Sequence, residues 1–163
     1  SLQFLQDLQE GRRDAERFYE IYPDRATYSE KGAVEHAPSV ADPLDDAAFL
    51  YFVRTIPLEV GQTYEFNRYF RPDRNPVQIR VLRRETIKVP AGSYQTIVIQ
   101  PIIKSKGIFS EKGHAEMWLT DDSRRLLVQM KSDLSIGSLN LYLRGYVPGN
   151  VAMATGEDST QQK

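Results

Sequence analysis

Apolar and polar positions alternate with a period of two along most of this chain, the spacing of strands that bury one face. Leu2, Phe4 and Leu8, then Phe18, Tyr19 and Tyr22, then Tyr28 predict three short strands, divided by a polar turn at Glu10 to Arg13 and by Pro23-Asp24. Glu30 to Pro38 carries Gly32 and His36 without periodicity and reads as a loop. Further on, Tyr64, Phe66, Arg68 and Phe70 share one strand face, opposite Glu65, Asn67 and Tyr69. The turn-rich Arg71-Pro72-Asp73-Arg74-Asn75-Pro76 leads to Val77, Ile79 and Val81, which alternate with Gln78 and Arg80 to complete a hairpin.

Val89-Pro90-Ala91-Gly92 predicts a tight turn between Thr86-Ile87-Lys88 and a strand from Tyr94 to Ile103. That strand is almost continuous in Ile and Val, the composition of one buried on both faces, so it should lie centrally in its sheet. Pro101 cannot donate to a ladder and requires a bulge or an unpaired position. Lys104 to Gly113 reads as a basic connection holding Ile108 and Phe109. Beyond it, Ala115, Met117 and Leu119 alternate with His114, Glu116 and Trp118, and Asp121-Asp122-Ser123 makes a turn. Leu126, Val128 and Met130, then Leu139, Leu141 and Leu143, supply the last two strands of a β-meander. Apolar content falls away from Pro148, so residues 148–163 are expected to form a disordered tail behind one β-rich domain at 1–147.

One segment breaks the period. Asp42-Pro43-Leu44-Asp45-Asp46 offers an N-cap carboxylate at Asp42, a proline at N1 and two acids in the first turn. Ala47 to Val53 then reads as a helix, apolar around its circumference and therefore buried, ending near Arg54 or Thr55 before Pro57. The expected fold is mainly β: a curved antiparallel sheet or flattened β-barrel, built as a meander, with this one short buried helix in its concavity.

Composition adds few constraints. Nine Tyr and seven Phe suit strands, and 21 Lys and Arg against 22 Asp and Glu leave no net field to attract nucleic acid. There is no cysteine, which excludes disulfides, thiolate metal ligands and thiol nucleophiles. No apolar run approaches the roughly 18 to 20 residues that span a bilayer. The chain opens at Ser1 inside a strand pattern, so it reads as a mature or truncated piece of something longer.

Candidate chemistry is sparse. His114 and Glu116 share a strand face, yet two groups do not make a metal or acid–base site, and His36 has no ligand spacing to them. Asp42, Asp45 and Asp46 lack the alternating oxygens and distal Glu of a calcium loop, and helix capping accounts for them. Asp121 and Asp122, adjacent on a turn, cannot face one another across a cleft as paired catalytic acids do. Arg68 stands out because alternation sets it among Tyr64, Phe66 and Phe70, where its guanidinium either stacks on aromatics or anchors an anionic headgroup. Tyr64, Phe66, Tyr51 and Arg68 are the candidate ligand-binding residues, joined by Trp118, which with Tyr142 and Tyr146 forms a candidate aromatic patch. No catalytic residue, metal or cofactor is assigned.

Five stretches carry a family resemblance: Asp42-Pro43-Leu44 through Tyr51 and Arg54; Pro57-Leu58-Glu59-Val60-Gly61; Glu85 through Gly92; Ser105-Lys106-Gly107-Ile108-Phe109; and Trp118-Leu119-Thr120-Asp121-Asp122. In that order they resemble the bacterial domain-of-unknown-function family 3108. The resemblance covers most of Ser1 to Tyr146 and corresponds to the C-terminal two-thirds of such a domain. It implies a β-rich protein made with a signal peptide and exported to the periplasm or outer membrane of a Gram-negative cell envelope, with no established activity. The hairpin ending at Trp118 and Asp121-Asp122 is also similar to those of lipoprotein carriers, whose curved sheet holds acyl chains. The expected function is thus non-enzymatic binding of a hydrophobic or amphiphilic ligand, with a lipid as the candidate partner. The alternatives are a structural or protein-interaction module of the envelope without a small-molecule ligand, with an envelope protein as its candidate partner, and, third, an envelope hydrolase using His114 and Glu116.

Overall fold

A computed structural model describes residues 2–10, 13–104, 109, 114–133 and 138–149; the expected tail lies almost wholly outside them. Among these residues, ten strands form two open, wholly antiparallel sheets. The first sheet runs β1 (Gln3–Glu10), β2 (Arg13–Tyr22), β3 (Thr27–Glu30) and β4 (Ala37–Pro38) in chain order. Its short fourth strand falls in the segment expected to be a loop. The second sheet holds β5 (Thr63–Phe66), β6 (Val77–Val89), β7 (Gly92–Ile102), β8 (Glu116–Thr120), β9 (Leu127–Asp133) and β10 (Ser138–Tyr142), again with sequence neighbours as spatial neighbours. This is the predicted meander, realised as open sheets without barrel closure.

The β6–β7 hairpin pivots where Val89 pairs with Gly92. Gly92 has φ +135°, a conformation that a Cβ would strain, which is why glycine ends this turn. β7 lies inside the sheet, and Thr96 to Ile99 are buried in succession, as expected of a strand covered on both faces. Pro101 stands in register with Ile79 on one side, while the pairing of β8 stops at Ile99 and Met117. Its missing N–H therefore costs no ladder bond to β8.

Two bulges reset the faces of the second sheet. Between Val81 and Arg83 the register slips by one residue, so Val77, Ile79 and Val81 point into the main core whereas Ile87, of the same parity, packs on the outer face. Between Trp118 and Leu119 the partners pass from Gln129 to Leu127. Val128 is the extra residue, and it joins Leu126 in the outer cluster while Met130 packs inward. Simple alternation across 126–130 is thereby overturned, because a bulge changes which face the following residues occupy.

The helix α1 spans Asp46–Phe52. Asp45, not Asp42, is its N-cap: the Asp45 carboxylate accepts from the Ala48 N–H at 2.7 Å. Asp42 instead sits at φ +48°, and Leu44 makes a β-bridge with Tyr69, so backbone pairing delays the helix by one turn. Nor is α1 covered all round. Phe49 is buried with Val53 just beyond the helix, while Tyr51 is 70% exposed.

Both sheets contribute to one core. Phe49, Val53, Ile56 and Leu58 pack with Ile79, Val81, Ile97, Ile99, Met117 and Leu119, and Tyr19 and Ile21 of the first sheet join them. Phe70 is the junction: its ring meets Tyr19 at 5.2 Å, Tyr28 at 5.3 Å and Phe4 at 6.0 Å between centroids. Such tilted and edge-to-face contacts add to the burial of apolar area.

Candidate functional site

Arg68 lies just after β5, which ends at Phe66 rather than continuing through Phe70. The reason is the bridge to Leu44: the Leu44 N–H donates to the Arg68 carbonyl at 2.6 Å, and the Phe70 N–H donates to the Leu44 carbonyl at 2.9 Å. This tie carries Tyr69 as well as Phe70 into the core, against the expectation that Tyr69 would face away. It also sets Arg68 beside α1. The guanidinium lies 4.9 Å from the centroid of Phe52, and Phe52 meets Phe66 edge-on at 4.8 Å.

The Arg68 Nε–H donates to the Asp42 carbonyl at 3.0 Å. Arg71, Arg83, Arg84, Arg124 and Arg125 each pair with a carboxylate. Among the described residues none pairs with Arg68, although its side chain is half-buried. Among the described residues, its charge is met by the Phe52 ring and the Asp42 carbonyl dipole.

The other candidates separate. Phe66 joins Arg68 through Phe52, a residue that strand parity could not bring in because it arrives from the helix. Tyr64 packs half-buried against the core; its hydroxyl donates to the Pro57 carbonyl and accepts from the Glu59 N–H at 3.4 Å. Tyr51 projects into solvent. Trp118 belongs to the outer face of the second sheet, 4% exposed among Val98, Val128 and their neighbours, so it forms no open patch with Tyr142 and Tyr146. Two surface hollows occur elsewhere: one of about 580 Å³ beside Leu2, Gln3, Glu20, Ile21 and Tyr22, and one of about 270 Å³ beside Glu16, Arg17, Phe18, Glu30 and Lys31.

Around Trp118 runs an ionic network. Its Nε1–H donates to Glu85 Oε1 at 2.7 Å, and Arg83 bonds both oxygens of Glu116 at 3.1 and 2.9 Å while also reaching Glu85. Arg83 and Lys131 flank the indole at 5.8 and 5.6 Å. The Trp118 bond, followed by those from Arg83, holds the Glu85 carboxyl below its ordinary range. Glu116 is therefore engaged in a fork-on-fork ion pair, and His114 is exposed ahead of β8 rather than beside it on a strand face.

The remaining acids serve local structure. Asp122 accepts from the Thr120 hydroxyl and from the backbone N–H groups of Arg124 and Arg125, and its other oxygen takes Arg124. Partial burial pushes its carboxyl up, but the Arg124 and Thr120 bonds overcome this and hold it at about 2. Asp121 pairs with Arg84 and Arg125. Asp46 accepts from the Tyr69 hydroxyl at 3.0 Å, which in turn accepts from Arg74 at 3.1 Å. Burial raises the Asp46 carboxyl despite those partners, and likewise raises Tyr69. His36 stacks on Tyr22 at 4.8 Å. Among the described residues no three His, Cys, Asp or Glu gather as metal ligands, and no helix is long and apolar enough to cross a membrane.

No curated protein and no solved structure matches this chain at a significant level. A family model does match, over residues 1–144, and its description is "Protein of unknown function (DUF3108)". With nearly the whole β-rich region inside that match, the chain belongs to the DUF3108 family.

Proposed function

We propose that this chain is a non-enzymatic binding module of the bacterial cell envelope, which holds an amphiphile by an anionic group at Arg68. The observation that carries the reading is a half-buried guanidinium lying over the Phe52 ring and given no carboxylate among the described residues. Phe52 and Phe66 supply apolar surface for the rest of the ligand. The concavity between sheet and helix is filled by Phe49, Val53 and the aliphatic core, so the ligand lies at the rim of the second sheet rather than inside it. The absence of catalysis is supported by the commitment of Glu116 to Arg83 and of Asp122 to its turn. Envelope placement rests on the family resemblance.

Native mass spectrometry with lipid extraction, applied to the full-length protein purified from its own periplasm, tests the proposal. An amphiphile that accompanies the wild type and is lost from a folded Arg68→Ala variant is the expected result. No bound small molecule in either sample would overturn it.

A second reading, docking of a partner protein, is favoured by β1, which pairs only with β2 among the described residues and leaves Leu5 55% exposed. Long open edges accept further strands. Slowed amide exchange along β1 on adding the partner would mark that mode.

A further inference from the structure

The geometry points to the kind of head that Arg68 takes: we propose a singly charged oxyanion presenting two oxygens in one plane, a carboxylate or a phosphodiester, carried on an apolar chain. This rests on the amphiphile reading and adds its headgroup. A guanidinium offers five N–H donors along two bidentate edges, one containing Nε and the other made by the two Nη groups. In Arg68 the Nε–H is already spent on the Asp42 carbonyl, and the guanidinium carbon lies over the Phe52 ring, 4.9 Å from its centroid. Among the described residues no bond engages the Nη edge, and its fork matches two coplanar oxygens.

Charge sets the rest. One guanidinium balances one negative charge, and the nearest arginine in sequence, Arg71, is spent on Asp73 at 3.1 Å. Asp42, whose carbonyl takes the Nε–H, and Glu65, three residues before Arg68, are both exposed carboxylates whose like charge disfavours a dianion such as a phosphate monoester. Phe52 lies under the guanidinium and Phe66 meets Phe52 edge-on, so a ligand whose chain leaves the head directly buries apolar area as it pairs.

The test is titration of the full-length protein with decanoate, with lysophosphatidylglycerol and with decanol, followed by calorimetry and by the NMR signal of the Arg68 Nε–H. At least one of the two anions is expected to bind and to shift that signal, with decanol weaker by about tenfold or more, as lost charge-assisted pairing implies. Which anion binds tells a free acyl carboxylate from a phospholipid head. Arg68→Lys keeps the charge but not the fork, and should weaken anion binding by about tenfold while leaving the fold, followed by circular dichroism, unchanged. Equal binding by Arg68→Lys, equal binding of decanol, or no binding of either anion would overturn the proposal. If a neutral amphiphile still accompanies the native protein and leaves with Arg68→Ala, the headgroup inference alone has failed; if nothing accompanies it, the binding reading has failed as well.

Discussion

At the scale of single residues, Asp46 shows how burial and pairing compete. Its carboxylate has Tyr69 and Arg74 on one side and Asp45 as its neighbour, and burial outweighs the attraction. A carboxyl raised in the folded state binds its proton more tightly there than in the unfolded chain. Stability from this group is therefore present at low pH and lost as pH rises from 3.8 through the raised folded value. Asp46→Asn keeps an acceptor for the Tyr69 hydroxyl and cannot titrate. Urea unfolding across that window should show the variant gaining on the wild type as pH rises, then a constant difference; a difference independent of pH would refute the assignment. Arg68 was legible at this scale as a cation among aromatics. Its aromatic partner was not, because Phe52 comes from another element and is brought to Arg68 by long-range contacts such as the Leu44–Tyr69 bridge.

At the scale of elements, the start of α1 departs from what its residue types predict. By residue type Asp42-Pro43 reads as the helix opening, and the structure overturns it through the backbone of Leu44, which is spent on Arg68 and Phe70. Asp45 is 1% exposed and caps Ala48. Asp45→Ala should then cost about 1 kcal/mol or more, whereas Asp42→Ala should stay within about 0.5 kcal/mol, both read from denaturant midpoints. A larger loss from Asp42→Ala would contradict the observed cap. The bulge at Val81/Arg83 explains why Arg83 and Glu85 meet Trp118 and Lys131 on the outer face. Strand periodicity alone carries no mark of a skipped residue, so that network was invisible before the register was known.

At the scale of the whole molecule, the aromatic junction around Phe70 joins the first sheet to the second. Phe70 is 1% exposed and touches Phe4, Tyr19, Tyr28 and Tyr69. Phe70→Ala should cost about 3–5 kcal/mol, the usual range for emptying a buried phenylalanine site, and lower the thermal midpoint accordingly. Amide exchange resolves where: the first sheet should lose protection together with the 69–75 segment, and unchanged protection in β2 and β3 would show that the sheets do not depend on this contact.

The sequence by itself determined the β class, the hairpin order, the central place of β7 and the tight turn at Gly92, because these depend on local periodicity, β-branched content and backbone freedom. It also marked Arg68 as the residue to watch. Only the tertiary structure decided which aspartate caps α1, which faces the bulged strands present, that Trp118 is enclosed by its own ionic network, and that Phe52 is the ring beneath Arg68. Each of those outcomes depends on backbone pairing between segments distant in the chain, and a single residue of register is enough to exchange one face of a strand for the other.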